Sequence, residues 1–400
     1  MLKKLPQTKK GKSPCKGGQG THLTKMNKIL TKISGASAAL LAAGMAVTPV
    51  CAAGTTYTAV TGTETSFTTT VNFKASANVP NVTFSYGVTA GAAQDASDGN
   101  LAIYAGDDKV TSEGLPTIAD VVFSASDAKT TDTTAVKTAT VDFSGVSFKE
   151  PGVYRYVVTE TGSAQGISST EDKVKALDVY VTDNNGALEV SGYVMHNDET
   201  AKAEKLDATK QLDDKDTDFE HALASSDLTI SKAVAGNQAS HDEYFAFTVK
   251  LSGADAGTKY TVDLSGADAE TSTNGINTET HKNPSELVAD ENGAVTATFW
   301  IQNGQQVVVK GIGSSTAYEV SEAYGDYTPS VKVTGDTEGS AVDTATATDT
   351  AITADTTLAY TNTKSGAVPT GLFMGVGGAA AITLIGVVGI GSKFKKKDEE

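Results

Sequence analysis

The chain has 400 residues, with 48 acidic against 32 basic side chains, a net charge of −16 and a pI near 4.8. Such a balance lacks the Lys/Arg excess that neutralises phosphates, which excludes nucleic acid as a partner. At roughly 100–200 residues per domain the length allows two or three domains, and the Thr-, Ala-, Val- and Gly-rich composition points to β structure.

Residues 1–53 carry nine lysines and no acid. A basic stretch ends at Lys32, an apolar run follows from Ala36 to Val47, and Val50-Cys51-Ala52-Ala53 supplies small residues for cleavage. This order reads as an export signal, with a second start available at Met26. Val50 before Cys51 argues against lipid attachment at that cysteine. Both cysteines, Cys15 and Cys51, lie in this piece. The mature chain is therefore expected outside the membrane without disulfides to staple it.

The body shows short alternating runs typical of strands. In residues 54–225 they are Thr68–Phe73, Val82–Tyr86, Thr140–Phe143, Gly152–Val158 and Leu177–Val181. In residues 226–365 they are Leu228–Ile230, Tyr244–Leu251, Val295–Ile301, Val307–Val309, Tyr318–Val320 and Thr357–Thr361. Turn signals such as Asn184-Asn185-Gly186 and Asn292-Gly293 separate them. Residues 200–220 read as an acidic, lysine-bearing loop late in the first half, and 335–357, with alternating Thr, Ala and Asp, as a solvated loop. The expected fold is all-β, with tandem Ig-like, Greek-key sandwiches over 54–225 and 226–365.

The two halves echo each other. Each opens with a strand leading to Lys-Ala, at Lys74 and Lys232. Each has a paired-aromatic strand, Phe84-Ser85-Tyr86 and Phe245-Ala246-Phe247. Each later carries a Tyr-x-Val-Thr/Ser-Glu run, ending at Glu160 and Glu322.

Residues 366–400 close the chain. Leu372 to Gly391 is uncharged and long enough to span a bilayer, and Lys393, Lys395, Lys396 and Lys397 follow as a basic tail. Val368-Pro369-Thr370-Gly371 precedes the span. The three parts in this order resemble the sorting signal of Gram-positive surface proteins. That resemblance implies cleavage by a sortase between Thr370 and Gly371 and a transient membrane anchor.

The body resembles the streptococcal pilin isopeptide-linkage family of two-domain backbone pilins. The stretch Val141–Glu160, the opening Leu228–Lys232 and the closing Tyr360-Thr361-Asn362 carry the likeness. The resemblance implies a Lys–Asn isopeptide bond between first and last strands, assisted by a glutamate. In the second half it assigns Lys232 as nucleophile, Asn362 as acceptor and Glu322 as helper. In the first half Lys74 and Glu160 match, but His221 stands at the acceptor position. Imidazole has no acyl carbon, so this half is expected to lack the bond or to use another acceptor. The resemblance also implies an inter-subunit lysine shortly before that position, where Lys205, Lys210 and Lys215 are candidates and Lys215 is nearest.

The implied partners are a sortase, identical subunits and, through anchoring, peptidoglycan. The implied location is the pilus or wall of a Gram-positive cell. The alternatives are a wall-anchored protein that never polymerises and an adhesin that binds a host surface. No cofactor, enzyme activity or metal site is expected: His196, His221, His241 and His281 lack metal-ligand spacing, and Asp213-Asp214-Lys215-Asp216 reads as a solvated charge run.

Overall fold

The computed structural model describes residues 57–97, 100–110, 115–162, 164–203, 215–266, 280–335 and 339–367. The expected export segment, Lys205, Lys210, Val368–Gly371 and the apolar span lie outside the described residues. Among the described residues all regular structure is β-strand.

The first sandwich packs two five-stranded sheets. In one, Asp218–Leu223 lies parallel to Thr65–Asn72, which pairs antiparallel with Thr134–Asp142. In the other, Gly152–Glu160 lies between Tyr86–Ala90 and Val174–Asn184, and Ala187–His196 closes a hairpin with the latter. The facing sides meet in an aromatic core that includes Phe67, Phe143, Tyr154, Tyr156 and Phe219. Each such side chain, once buried, contributes about 1.5–3 kcal/mol.

The second sandwich repeats the plan. Ser225–Ala235 lies between Gln305–Gly313 and Thr356–Thr363, parallel to the latter, in a six-stranded sheet. Phe245–Ser252 lies between Val295–Ile301 and Ala317–Ala323 in a four-stranded sheet. The core includes Leu228, Ile230, Phe247, Phe299 and Tyr360.

Strand alternation decides which side chains enter these cores. Along Ser225–Ala235 the buried positions are Ser226, Leu228, Ile230, Lys232 and Val234. The lysine is thus in phase with leucine and isoleucine. Along Thr356–Thr363 the buried set is Thr356, Leu358, Tyr360 and Asn362.

Three local expectations change: the loop expected over 200–220 gives way to the strand Asp218–Leu223 at its end, and two more follow. The run Val82–Tyr86 splits at Ser85: Val82–Phe84 pairs with Val121–Phe123, and Tyr86–Ala90 pairs with Gly152–Glu160. The Ser85 carbonyl accepts from the Thr161 amide at 2.8 Å, so the chain changes partners there. Residues 335–357 are not all loop. Thr346–Asp349 adds a strand to Ala317–Ala323 and buries Ala347, which ties the acidic Thr/Ala run to the core.

Only Ala224 separates the last strand of the first sandwich from the first strand of the second. At the junction Asn78 Nδ2 donates to the Lys259 carbonyl, and Asn81 Nδ2 to that of Ala256, each at 2.9 Å. Gly311, at φ +69°, lets the backbones touch: a Cβ there would lie 2.4 Å from Ala77 Cα.

Candidate functional site

In the second sandwich the core faces of three strands bring Lys232, Glu322 and Asn362 together. Parallel register sets Asn362 beside Val234 and Tyr360 beside Lys232, so the lysine and the asparagine point into the core from adjacent strands. Glu322 enters from the facing sheet, opposite Phe247. Lys232 Nζ donates to Glu322 Oε1 at 2.5 Å, and Asn362 Nδ2 donates to the same oxygen at 2.8 Å. Relative exposures are 3%, 6% and 0% for Lys232, Glu322 and Asn362, a triad sealed from solvent.

The surroundings are apolar. Nζ lies 4.2 Å from the Phe245 ring centre and 5.9 Å from that of Phe247, and Tyr360 packs edge-on to Phe247. Burial lowers the Lys232 amine to about 8, although Glu322 pulls the other way. Burial raises the Glu322 carboxyl above its ordinary range. Both shifts favour the neutral pair, an amine beside a carboxylic acid. Glu322 Oε2 and Asn362 Oδ1 have no hydrogen-bond partner among the described residues. Rotating the carboxamide would place its carbonyl oxygen at the acid.

Such a pair has a measurable linkage. The folded Lys232 value lies below its unfolded 10.5, so between these limits the unfolded chain holds a proton that the fold has shed. The stabilisation is complete above pH 10.5 and is lost as pH falls to about 8. In Asn362→Ala, which keeps the amine free, the denaturant midpoint should therefore rise from pH 8 to pH 10.5; a flat profile would mean Lys232 ionises normally.

The first sandwich builds the same place with other residues. Glu160 lies opposite Tyr86, as Glu322 lies opposite Phe247. His221 pairs with Val71 in parallel register, as Asn362 pairs with Val234. Counting back two residues from Val71, as from Val234, gives Thr69 at the lysine position. Thr69 is fully buried, and its hydroxyl lies 2.6 Å from the Tyr86 hydroxyl. His221 Nε2 lies 2.7 Å from Glu160 Oε2 and Nδ1 lies 3.2 Å from the Thr70 carbonyl oxygen, while Phe84 packs on the ring at 4.0 Å.

Lys74, the expected nucleophile, is elsewhere. Its strand ends at Asn72, whereas Lys232 lies inside a strand that continues to Ala235. Lys74 therefore projects into the junction, where Nζ lies 2.6 Å from Asp355 and 3.2 Å from Asp227, both of the second sandwich. The structure brings Glu160 and His221 together and leaves Lys74 out.

Lys215 precedes the closing strand of the first sandwich and bridges antiparallel to His196. It is exposed, and the protein around it nevertheless desolvates its amine enough to lower the pKa.

Sequence reasoning missed two buried charged clusters on the hairpin sheet. Arg155 and Asp178 are fully buried in a bidentate pair, at 2.7 Å from Nε and 2.6 Å from Nη2. Lys175 is fully buried as well and donates to Asn197, Glu171 and Asp216. The available signal was a charged residue inside the otherwise buried run Lys175–Val181.

Comparison with known proteins matches a family model to each half of the chain. Residues 77–220 match the Spy0128-like isopeptide containing domain, and residues 226–364 match a domain of unknown function. A curated pilin of Streptococcus pyogenes serotype M1 is 28% identical over 272 residues, covering 66% of this chain and 72% of the relative. The crystal structure of the major pilin from Streptococcus pyogenes superposes with a TM-score of 0.50 at 22% identity, over 77% of this chain and all of that one. The major pilin T3.2 of the same species gives 0.50 at 19% identity, over 76% of this chain and all of that one. The chain is thus similar over its first half to the Spy0128-like isopeptide containing domain, similar in sequence to a streptococcal pilin, and shares the fold of the major pilins.

Proposed function

We propose that this chain is the shaft subunit of a covalently polymerised pilus, closed by one internal Lys232–Asn362 isopeptide bond. The buried Lys232–Glu322–Asn362 triad carries the reading. It links the first and last strands of one sandwich, inside a core closed to solvent.

The chemistry balances within the triad. Neutral Lys232 Nζ attacks Asn362 Cγ while Glu322, as the acid, donates to the carbonyl oxygen. The new N–C bond forms, the Cγ–Nδ2 bond breaks, and the amine proton passes through Glu322 to the departing ammonia. The fold supplies the orientation, as in any intramolecular reaction.

Polymerisation joins two opposite ends of the molecule. The strand Asp218–Leu223 runs toward the junction, because Ala222 pairs with Asn72 there. Lys215 is therefore at the far end of the first sandwich. The strand Thr356–Thr363 runs away from the junction beside Ser225–Ala235, so the described chain reaches Ala367, three residues before Thr370 in the sequence, at the far end of the second sandwich. A sortase cysteine would break the Thr370–Gly371 bond and hold the threonyl group as a thioester. Lys215 of the next subunit would then take that acyl group and release the cysteine. Donor at one end and acceptor at the other form a heterologous contact that builds an open filament.

Immunoblots of wall extracts test this. Wild-type cells should show high-mass ladders, and Lys215→Ala should collapse them to monomer. A single wild-type band would mean monomeric wall anchoring, and ladders that survive Lys215→Ala would move the linkage to Lys210 or Lys205.

A further inference from the structure

A fully buried lysine needs a reason, because desolvating an ammonium is costly unless oxygens surround it. Lys175 stands near the start of Val174–Asn184, with no exposed surface on its side chain. Its Nζ donates to Asn197 Oδ1 at 2.6 Å, to Glu171 Oε2 at 3.1 Å and to Asp216 Oδ2. The Phe219 ring covers it at 5.1 Å. Asn197 and Glu171 are close in sequence or across the hairpin. Asp216 is different: it belongs to the separate segment that leads into the closing strand, and its neighbour in the chain is Lys215.

That segment is held by both its backbone and the Asp216 side chain. The Asp216 amide donates to the Met195 carbonyl at 3.1 Å, within the bridge that pairs His196 with Lys215. Asp216 Oδ1 accepts from the Asp218 amide at 2.9 Å, which leaves Oδ2 to the Lys175 ammonium. On the other side the Thr217 carbonyl accepts from the Thr68 amide at 2.8 Å. In an extended segment, neighbouring side chains point opposite ways. Pinning Asp216 inward therefore turns Lys215 outward, which agrees with its exposure.

We propose that Lys175 is the positioning residue for the linkage lysine, fixing the backbone at Lys215 by capturing Asp216 from beneath. This rests on the reading of Lys215 as the acceptor of the next subunit's threonyl group. Lys175 takes no part in the bond-making step. It holds the amine where an acyl-enzyme can reach it, and without it the segment loses its only ionic tie to the hairpin among the described residues.

The test uses the full mature chain as acyl acceptor, the cognate sortase and a labelled Val-Pro-Thr-Gly peptide as acyl donor. Lys175→Met keeps stem volume and removes the charge, and Asp216→Asn keeps Lys175 and cuts the tie from the other side. Both should slow labelling at Lys215 by about tenfold or more, through a raised KM for the acceptor, since a misplacement of about 1 Å costs rate steeply. Lys175→Arg should recover part of the rate, which a generic packing role would not predict. The ammonia loss at Asn362, in the other sandwich, should stay at its wild-type value in Asp216→Asn, and labelling read well below that variant's own thermal midpoint separates positioning from folding. Labelling of Lys215 at the wild-type rate in both variants overturns the proposal. Lys215→Ala run in parallel isolates the underlying reading: if labelling persists there, it is that reading, not the role of Lys175, that fails.

Discussion

Intact mass of the purified mature chain should fall short of its sequence mass by one ammonia. Glu322→Ala and Asn362→Ala should each restore the full mass. The loss should map to a branched peptide joining Lys232 to Asn362. A deficit of two ammonias in the wild type would mean that the first sandwich has also closed a bond, and no deficit would remove the staple altogether. The energetic consequence is large. In the chain-entropy model a cross-link closing a loop of roughly 100 residues stabilises by about 4.7 kcal/mol. Glu322→Ala also leaves the Lys232 amine buried without its hydrogen-bond partner, a further cost of the kind that an unsatisfied buried polar group carries. The second sandwich of this variant should melt well below wild type, and Glu322→Gln, which keeps shape but not acid function, should also fail to lose ammonia.

A Lys–Asn bond should be installable in the first sandwich with three substitutions. Thr69 occupies the lysine position, His221 the asparagine position, and Tyr86 the position of Phe247. In Thr69→Lys/Tyr86→Phe/His221→Asn the lysine stem fills space released by the imidazole and by the Tyr86 hydroxyl, and Glu160 is already buried at the helper position. The triple variant should lose a second ammonia and gain several kcal/mol by the same loop argument. Thr69→Lys alone, with His221 retained, should lose none beyond the first. A folded triple variant without the second loss would show that register equivalence is insufficient for the reaction.

Much of the second site was legible in the sequence because strand period and chemistry coincide there. Leu228, Ile230 and Lys232 alternate in one phase, as do Leu358, Tyr360 and Asn362, so alternation alone puts the polar residues on the core face. Glu322 closes a run whose tyrosine and valine alternate in the same way. The first site was harder for a specific reason. The Lys-Ala dipeptides at Lys74 and Lys232 look equivalent, but one follows its strand's end and the other lies within its strand. Only register shows that Thr69, a residue with no resemblance to lysine, holds the place. Lys175 was hidden differently. Its strand is buried on both faces, so the run lacks the alternation that would single out an inward charge. The clasp of Arg155 on Asp178 depends on antiparallel pairing of two strands, which sequence order alone does not set.

The single residue between the two sandwiches has a mechanical consequence. In a filament joined through Lys215 and Thr370, tension enters at Lys215 and runs along Asp218–Leu223, through Ala224 and up Ser225–Lys232. There it would cross the proposed Lys232–Asn362 bond and leave toward Thr370. From Lys215 to Asn362 that path would be covalent and nearly extended, so it could not lengthen by unfolding. The body of the first sandwich hangs beside this path like a sleeve on a cable, its strands before Lys215 bearing no axial load. A Thr69-side bond there would lie off the line of tension, which is where the chain carries threonine and histidine instead of lysine and asparagine.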